Sequence, residues 1–220
     1  MQKLNRPLEI PGGLDRYTPQ MHTWCMASPT PDERQAIWEA LNTMQGQRCA
    51  YCETALKTDS SQRHIEHFRQ RSRYRLGTFD WNNLFGSCNR IETCGDHKDK
   101  CGDYNHNDLI KPDIENPDTF LVFDAHGGVS PGARLDVEAQ RRAKETIRIL
   151  NLNGGGLRQI RETAAKGYLQ TLESWEQISQ SFPESEWRPL VEAELVNELA
   201  MTDQLPHATA IRHVLSRVVA

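Results

Sequence analysis

Cysteine spacing constrains this chain more than any other feature of its sequence. Five of the six cysteines fall within residues 49–101, and they are Cys49, Cys52, Cys88, Cys94 and Cys101. Two thiolates three residues apart on a tight turn can bind one ion, and a second pair completes a tetrahedron of ligands. We expect the first four to bind a structural Zn²⁺, with Cys101 as the alternative to Cys94 for the fourth position.

The composition fits a fold that needs a metal for support. Only 37% of the residues are hydrophobic and the net charge is −4, so the core should be modest. A small motif that buries little apolar surface commonly takes the missing stability from a bound ion. Scattered buried thiols and a redox pair are the other interpretations of Cys49 and Cys52. The redox interpretation is disfavoured because no βαβ pattern surrounds them.

Nothing in the sequence predicts a membrane segment. The first residues lack the apolar length of a secretory signal, and no stretch approaches the roughly 20 apolar residues of a membrane helix. We therefore expect a cytoplasmic protein without membrane contact. A reducing cytosol disfavours disulfides, which again favours a metal site for the clustered cysteines.

The remaining patterns predict an α+β fold in four parts. A small zinc-clamped core with two short strands and a short helix is flanked by an N-terminal arm and helix, a loop with a hairpin, and a C-terminal helical region. We expect the arm and helix over residues 1–46 and the core over 47–103. The loop and hairpin should follow over 104–134, and the helical region over 135–220.

Helix-start signals support this division. Thr30 and Glu33 form a capping-box pattern before a helix that should end near Gly46. Asp136 is expected to cap a helix that runs to about Leu150. One continuous helix with an apolar face is predicted from 157 to 175, followed by helices near 186–201 and 207–219. Residues 120–123 are expected to form a strand that turns back at 129.

An acid–histidine pair lies between the two pairs of cysteines. If residues 63–69 form a strand, His64 and Glu66 point to one side while His67 points to the other. Phosphodiester hydrolysis needs a base to deprotonate water, a cation to stabilise charge on the phosphate, and groups that orient both. His67 suits the base because an unperturbed imidazole titrates near pH ~6.5. Glu66 suits a hard divalent cation such as Mg²⁺.

Three further positions could complete such a site. His97 is a candidate for the second protein ligand of the cation, and Asn89 and Asp96 are weaker candidates. Asn83 is expected to hydrogen-bond backbone groups and brace the loop that carries the base.

The order of these motifs resembles the HNH, or ββα-metal, nuclease module over residues 49–98. The resemblance implies that His67 is the general base, Glu66 a ligand of catalytic Mg²⁺ or Mn²⁺, and Asn83 the structural middle asparagine. It implies His97 as the last metal ligand, although the spacing of the second cysteine pair leaves Asn89 as the alternative.

Over roughly residues 45–165 the chain also resembles the PtuB-type HNH proteins of Septu and retron-associated antiphage systems. The motifs that carry this similarity are Ile65–Arg69, Trp81–Cys88, Cys94–Lys98 and Ile149–Asn153. The resemblance implies a defence effector that works with an ABC-type ATPase, PtuA.

The predicted nucleic-acid contacts follow the acid–histidine pair. Arginines dominate residues 63–75 and match the geometry of phosphate groups, and they are Arg63, Arg69, Arg71, Arg73 and Arg75. DNA is the expected substrate. Alternatives are an RNA (tRNA)-cleaving toxin of a retron system and a zinc-stabilised binding or adaptor module without catalysis. Residues 180–205 carry six acids and one base, which disfavours phosphate binding and leaves room for a protein partner.

Overall fold

The computed structural model describes residues 1–58 and 61–219. Residues 59, 60 and 220, which the predicted core and helical region include, lie outside the described part. Within these ranges the protein is mixed α+β, with two small antiparallel sheets and long helical segments. This confirms the predicted fold class at the level of its secondary structure.

The first helix, α1 (Pro31–Gln45), begins and ends as the sequence predicts. The side chain of Thr30 accepts a hydrogen bond from the backbone of Glu33, and the Glu33 carboxylate accepts one from the backbone of Thr30. Gly46 ends the helix with φ +59°, in the left-handed region that glycine adopts without strain.

Two strands and a helix form the centre of the molecule. Strand β1 (Arg63–His67) pairs antiparallel with β2 (Leu84–Cys88), so that Glu66 lies opposite Phe85. Helix α2 (Cys94–Lys100) packs against β2. The order β1, β2, α2 agrees with the two short strands and short helix that were predicted for residues 47–103.

A second hairpin connects this centre to the helical region. Strands β3 (Leu121–Phe123) and β4 (Val129–Pro131) pair antiparallel around a turn. The backbone N–H of Asp124 donates to the carbonyl of Gly128 across that turn. The predicted strand and its return are both present, although the strand begins one residue later than expected.

The C-terminal part contains α3 (Val137–Ile149), α4 (Leu157–Lys166), α5 (Leu169–Ser181), α6 (Glu184–Thr202) and α7 (Ala208–Leu215). Asp136 caps α3 as predicted, by accepting from the backbone N–H of Ala139. The single helix expected over 157–175 is wrong, because the chain breaks between α4 and α5 at Gly167. Glycine has a low intrinsic preference for helix interiors, and the periodicity of the apolar positions continued across the break.

The main hydrophobic core surrounds β1 and β2, a smaller core lies among α5, α6 and α7, and a third cluster lies between α4, α5 and α7. Trp187, Val191 and Leu195 of the acidic helix α6 are buried in the smaller core, whereas Leu190 is exposed. The guanidinium of Arg48 donates to the carbonyls of Asp203 and Leu205, just after the end of α6. Within the described residues, none of the helices combines the length and apolar character that crossing a bilayer requires.

Candidate active site and cysteine cluster

Four buried cysteines meet beside the central sheet. The Sγ atoms of Cys49, Cys52, Cys88 and Cys94 all lie within 4.8 Å of one another. Cys101 is outside this group, because its thiol faces the carbonyl of Lys98, and Cys25 is exposed. The structure therefore groups Cys94, and not Cys101, with the other three thiols, while their binding of zinc stays a prediction.

The backbone around each thiol explains why they meet. Cys49 and Cys52 lie on a turn in which the N–H of Glu53 donates to the carbonyl of Cys49, and Glu53 has φ +64°. Cys88 ends β2, and Cys94 begins α2 with its N–H bonded to the carbonyl of Leu150. The cluster thus brings together the turn of Cys49 and Cys52, the end of β2 and the start of α2.

The donor set fits a zinc ion. Thiolates at about 2.3 Å from a tetrahedral Zn²⁺ stand about 3.8 Å apart, and the Sγ atoms of Cys52 and Cys88 are 3.7 Å apart. Burial opposes ionisation of Cys49, but hydrogen bonds from the other three thiols lower its pKa well below the usual value. The pKa of Cys94 is raised well above its usual range by its contacts with Cys49, Cys52 and Cys88. A divalent cation between the sulfurs would remove this conflict, because a coordinated thiol is deprotonated.

Glu66 lies buried between two basic side chains. Its Oε1 is 2.7 Å from Nζ of Lys98, and its Oε2 is 2.9 Å from Nε2 of His64. Burial alone would raise the pKa of this carboxyl, but the charge of Lys98 and the contact with His64 hold it below its usual value. Glu66 is therefore ionised at neutral pH and holds its charge inside the fold.

His67 is also buried, and it has different neighbours from Glu66. Only 6% of the residue is exposed, and its Nε2 lies 2.9 Å from the carbonyl oxygen of Thr78. A carbonyl can only accept, so Nε2 carries the proton in the neutral ring and Nδ1 keeps the free lone pair. Burial lowers the pKa of His67 to about 4. Adjacent strand residues point to opposite faces, so the convergence of Glu66 and His67 on one phosphate stays a prediction.

A segment from the N-terminal arm covers His67. We refer to residues 17–25 as the cover. The indole of Trp24 packs edge-on against the imidazole of His67, with ring centroids 4.7 Å apart. Tyr17 stacks on Phe79 at 5.0 Å, and the guanidinium of Arg34 lies 5.0 Å from the Trp24 ring. A cavity of about 310 Å³ lies beside the cover and is lined in part by Trp24 and Thr78.

Asn83 lies where bracing was expected. Its Oδ1 accepts from the backbone N–H of Arg69 at 2.7 Å, and its Nδ2 donates to the carbonyls of Arg69 and Gly77 at 3.1 and 2.9 Å. The side chain is buried and all of these partners belong to the loop that follows His67. This loop also carries Thr78, the partner of the imidazole.

The other candidate metal ligands have different surroundings. Nδ1 of His97 lies 2.9 Å from the carbonyl of Ile149, so its role as a ligand stays a prediction. Asp96 pairs with Lys100 and accepts from the backbone of Glu92. Asn89 lies beside His64, with 2.5 Å between Oδ1 and Nδ1.

His64 is the residue whose importance the sequence did not reveal. The alternation along the strand placed it on the same side as Glu66, and this was a signal that could have been used. Its close contact with Glu66 follows from that alternation, because residues i and i+2 of a strand share a face.

The five predicted phosphate-binding arginines make contacts within the chain. Arg63 and Arg69 lie over the rings of Trp38 and Tyr74, Arg73 bonds the carbonyl of Gly102, and Arg71 and Arg75 donate to the carbonyls of Trp24 and Pro19. Two of the five therefore hold the cover in place. Arg71, Arg73 and Arg75 are exposed, and their binding to nucleic acid stays a prediction.

Comparison with known proteins gives one curated relative. Over 83 residues the chain is 30% identical to the Septu protein PtuB of Bacillus thuringiensis, a match that covers 37% of this chain and 30% of that protein. The match thus spans less than a third of the curated relative. No protein-family model matches the chain. The similarity supports a distant relationship to Septu proteins and agrees with the resemblance drawn from the sequence motifs.

Proposed function

We propose that this protein is a metal-dependent HNH endonuclease that hydrolyses phosphodiester bonds, with residues 47–103 as its catalytic unit. The observation that carries the proposal is the strand–strand–helix unit clamped by four cysteines, in which Glu66 and His67 follow each other at the end of β1. Asn83 braces the loop beside them. Each part matches, in order, the residue types that such a nuclease requires.

The tautomer of His67 assigns it a chemical role. With the proton of Nε2 directed at the carbonyl of Thr78, Nδ1 is the atom that takes a proton from the attacking water. Glu66 offers an ionised carboxylate to a divalent cation. Mg²⁺ or Mn²⁺, when bound, would stabilise the charge on the phosphate and on the leaving oxygen.

The cover must move before this chemistry can occur. An imidazole that is 6% exposed cannot contact both a water and a phosphate. Its pKa of about 4 also makes it a weak base, although it is neutral at pH 7. Displacement of Trp24 would expose Nδ1 and return the pKa toward the ordinary value. The closed structure therefore corresponds to a resting state of the proposed enzyme.

The proposed substrate is DNA, with RNA such as a tRNA as the alternative, since both present the same phosphodiester. The arginines of residues 63–75 lie next to the proposed base and would supply affinity without reading the sequence. We also propose an antiphage role with an ABC-type ATPase partner, which the similarity to a Septu protein supports. The exposed acidic face of α6 is available for a protein partner rather than for phosphate.

A cleavage assay tests the proposal. Supercoiled plasmid and total tRNA are incubated separately with the zinc-loaded chain, alone and with a co-expressed ATPase, in Mg²⁺, Mn²⁺ or EDTA. We expect DNA cleavage that needs the divalent cation. Cleavage of tRNA alone would reassign the substrate, and the absence of cleavage in every condition would contradict the nuclease function.

The burial of His67 favours one second candidate, a zinc-stabilised binding module without catalysis. In that case the imidazole is a packed core group whose hydrogen bond to Thr78 is structural. The module would bind nucleic acid equally well with EDTA and Mg²⁺, and replacement of His67 would change only its stability.

A further inference from the structure

We propose that His64, together with Glu66, binds the catalytic divalent cation. This inference rests on the proposed function, because the cation is catalytic only if the protein is a nuclease. The metal site itself can be tested without any cleavage. The sequence suggested His97 or Asn89 as the second ligand. The described contacts place neither of them against Glu66, whereas His64 is in direct contact with it.

The distance between the two side chains suits a shared cation. Ligand atoms at about 2.0–2.1 Å in adjacent positions of an octahedron are about 3 Å apart. Nε2 of His64 and Oε2 of Glu66 are 2.9 Å apart. Both belong to the same face of β1, so the backbone fixes their spacing. Divalent cations of this kind keep several waters and need only one or two protein ligands besides the phosphate.

The absence of a side chain at Gly95 leaves space for the carboxylate of Glu66 and the imidazole of His64. A Cβ built on Gly95 would lie 2.4 Å from Oε2 of Glu66 and 2.8 Å from Nε2 of His64. Any other residue would displace the two donor atoms. Gly95 follows Cys94 directly, and its N–H donates to Ser87, so the cysteine cluster holds this gap against the carboxylate.

The remaining contacts orient the two donors. Nδ1 of His64 faces Oδ1 of Asn89, which assigns the ring proton to Nδ1 and leaves Nε2 unprotonated beside Oε2 of Glu66. Lys98 takes the other carboxylate oxygen, Oε1, at 2.7 Å. Glu66 would therefore bind the cation through Oε2 alone. His64 is one-third exposed, so the site opens to solvent, as a phosphate ligand requires.

A structural ion cluster is the competing interpretation. If His64 is protonated, Glu66 lies between two positive side chains and needs no cation. The two interpretations differ in one measurable property, which is whether the zinc-loaded protein binds a second divalent ion at His64.

Binding of Mn²⁺ to the zinc-loaded full chain decides between them. Free Mn²⁺ is titrated by electron paramagnetic resonance for the wild type, H64A, E66Q and N89A. His126 pairs with Glu162 on the surface, so H126A is a matched control that removes another histidine–carboxylate contact. We expect one Mn²⁺ per wild-type chain. Affinity should fall at least tenfold in H64A and E66Q, about tenfold in N89A, and remain unchanged in H126A.

A second measurement needs no variant and guards against misfolding of H64A. In the wild type with ¹⁵N-labelled histidines, substoichiometric Mn²⁺ should broaden the ring signals of His64 more than those of His97. Stronger broadening of His97, absence of Mn²⁺ binding, or unchanged affinity in folded H64A would each overturn the proposal. His64-dependent Mn²⁺ binding without any cleavage would retain this site and reject the nuclease function. Cleavage with unchanged Mn²⁺ affinity in H64A would retain the nuclease function and reject this metal site.

Discussion

The cysteine cluster and the pocket of His67 both bury reactive side chains, but they do so by different means. The four thiols are enclosed by the elements that carry them, and they tie these elements together. His67 is enclosed by Trp24, which lies 43 residues earlier in the chain and is contacted by the exposed Arg71 and the half-buried Arg34. The burial of the thiols is therefore part of the fold. We therefore expect that the burial of His67 can be reversed without unfolding the central sheet.

The largest effect should come from the cluster. In C49S the tetrahedron loses one of its four thiolates, and structural zinc sites contribute on the order of 10 kcal/mol to the folding of small motifs. We expect zinc content to fall below one ion per chain and the central sheet to unfold, as measured by metal analysis and circular dichroism. Cys25 is exposed and outside the cluster, so C25S should keep both properties. Full zinc content in C49S would contradict the clamp.

Replacement of His67 should affect chemistry more than structure. General-base catalysis contributes about 10²–10⁴-fold to rates, so H67A should lose that much cleavage while it keeps its zinc. The control H126A removes an exposed histidine and should cleave like the wild type. Cleavage by H67A at the wild-type rate would remove His67 from the mechanism.

Acid should lower the free energy of unfolding in part through His67. The pKa of His67 is about 4, below its unfolded value of about 6.5, because burial disfavours the charged ring. Between about pH 6.5 and 4, His67 is protonated in the unfolded chain but stays neutral in the folded chain. The free energy of unfolding therefore falls as the pH drops toward 4. The contribution is at most about 3 kcal/mol.

His207 has a similar pKa of about 4, so it adds to the same acid dependence. Urea unfolding between pH 7 and 5 should therefore show a shallower loss of stability in H67F than in the wild type. Release of zinc at low pH affects both proteins equally and is followed by metal analysis. Identical pH profiles would show that His67 titrates normally.

The cover can be loosened separately. In W24A the imidazole of His67 should gain solvent, and its pKa should rise from about 4 toward 6.5, as followed by the ring signals in nuclear magnetic resonance. W24F keeps an aromatic edge over the ring and should shift the pKa less. If the cover restrains activity, W24A also cleaves faster than the wild type. An unchanged pKa in W24A would mean that Trp24 does not control the burial of His67.

These contrasts also explain what the sequence could predict. The cluster of four cysteines, the cap of α1 at Thr30 and the strands around Glu66 follow from local spacing and residue type, and the structure contains them. The break at Gly167 was missed because an apolar period continues through it. The position of Trp24 over His67 and the gap at Gly95 depend on contacts between distant segments, which no local pattern encodes.

The smallest effect should come from replacing a single arginine. This test compares the basic run of residues 63–75 with the C-terminal helical region. Arg73 and Arg141 are both ion-paired, Arg73 with Asp103 and Arg141 with Asp108 and Glu138. Only Arg73 lies in the run beside the proposed base. If that run contacts phosphate, R73Q should weaken DNA binding and lower the slope of log affinity against log salt by about 1, whereas R141Q should leave the slope unchanged. Anisotropy titrations of labelled DNA at several salt concentrations measure this slope. Equal slopes for R73Q and the wild type would place the nucleic acid on another face, because the lost charge would then have released no counterion.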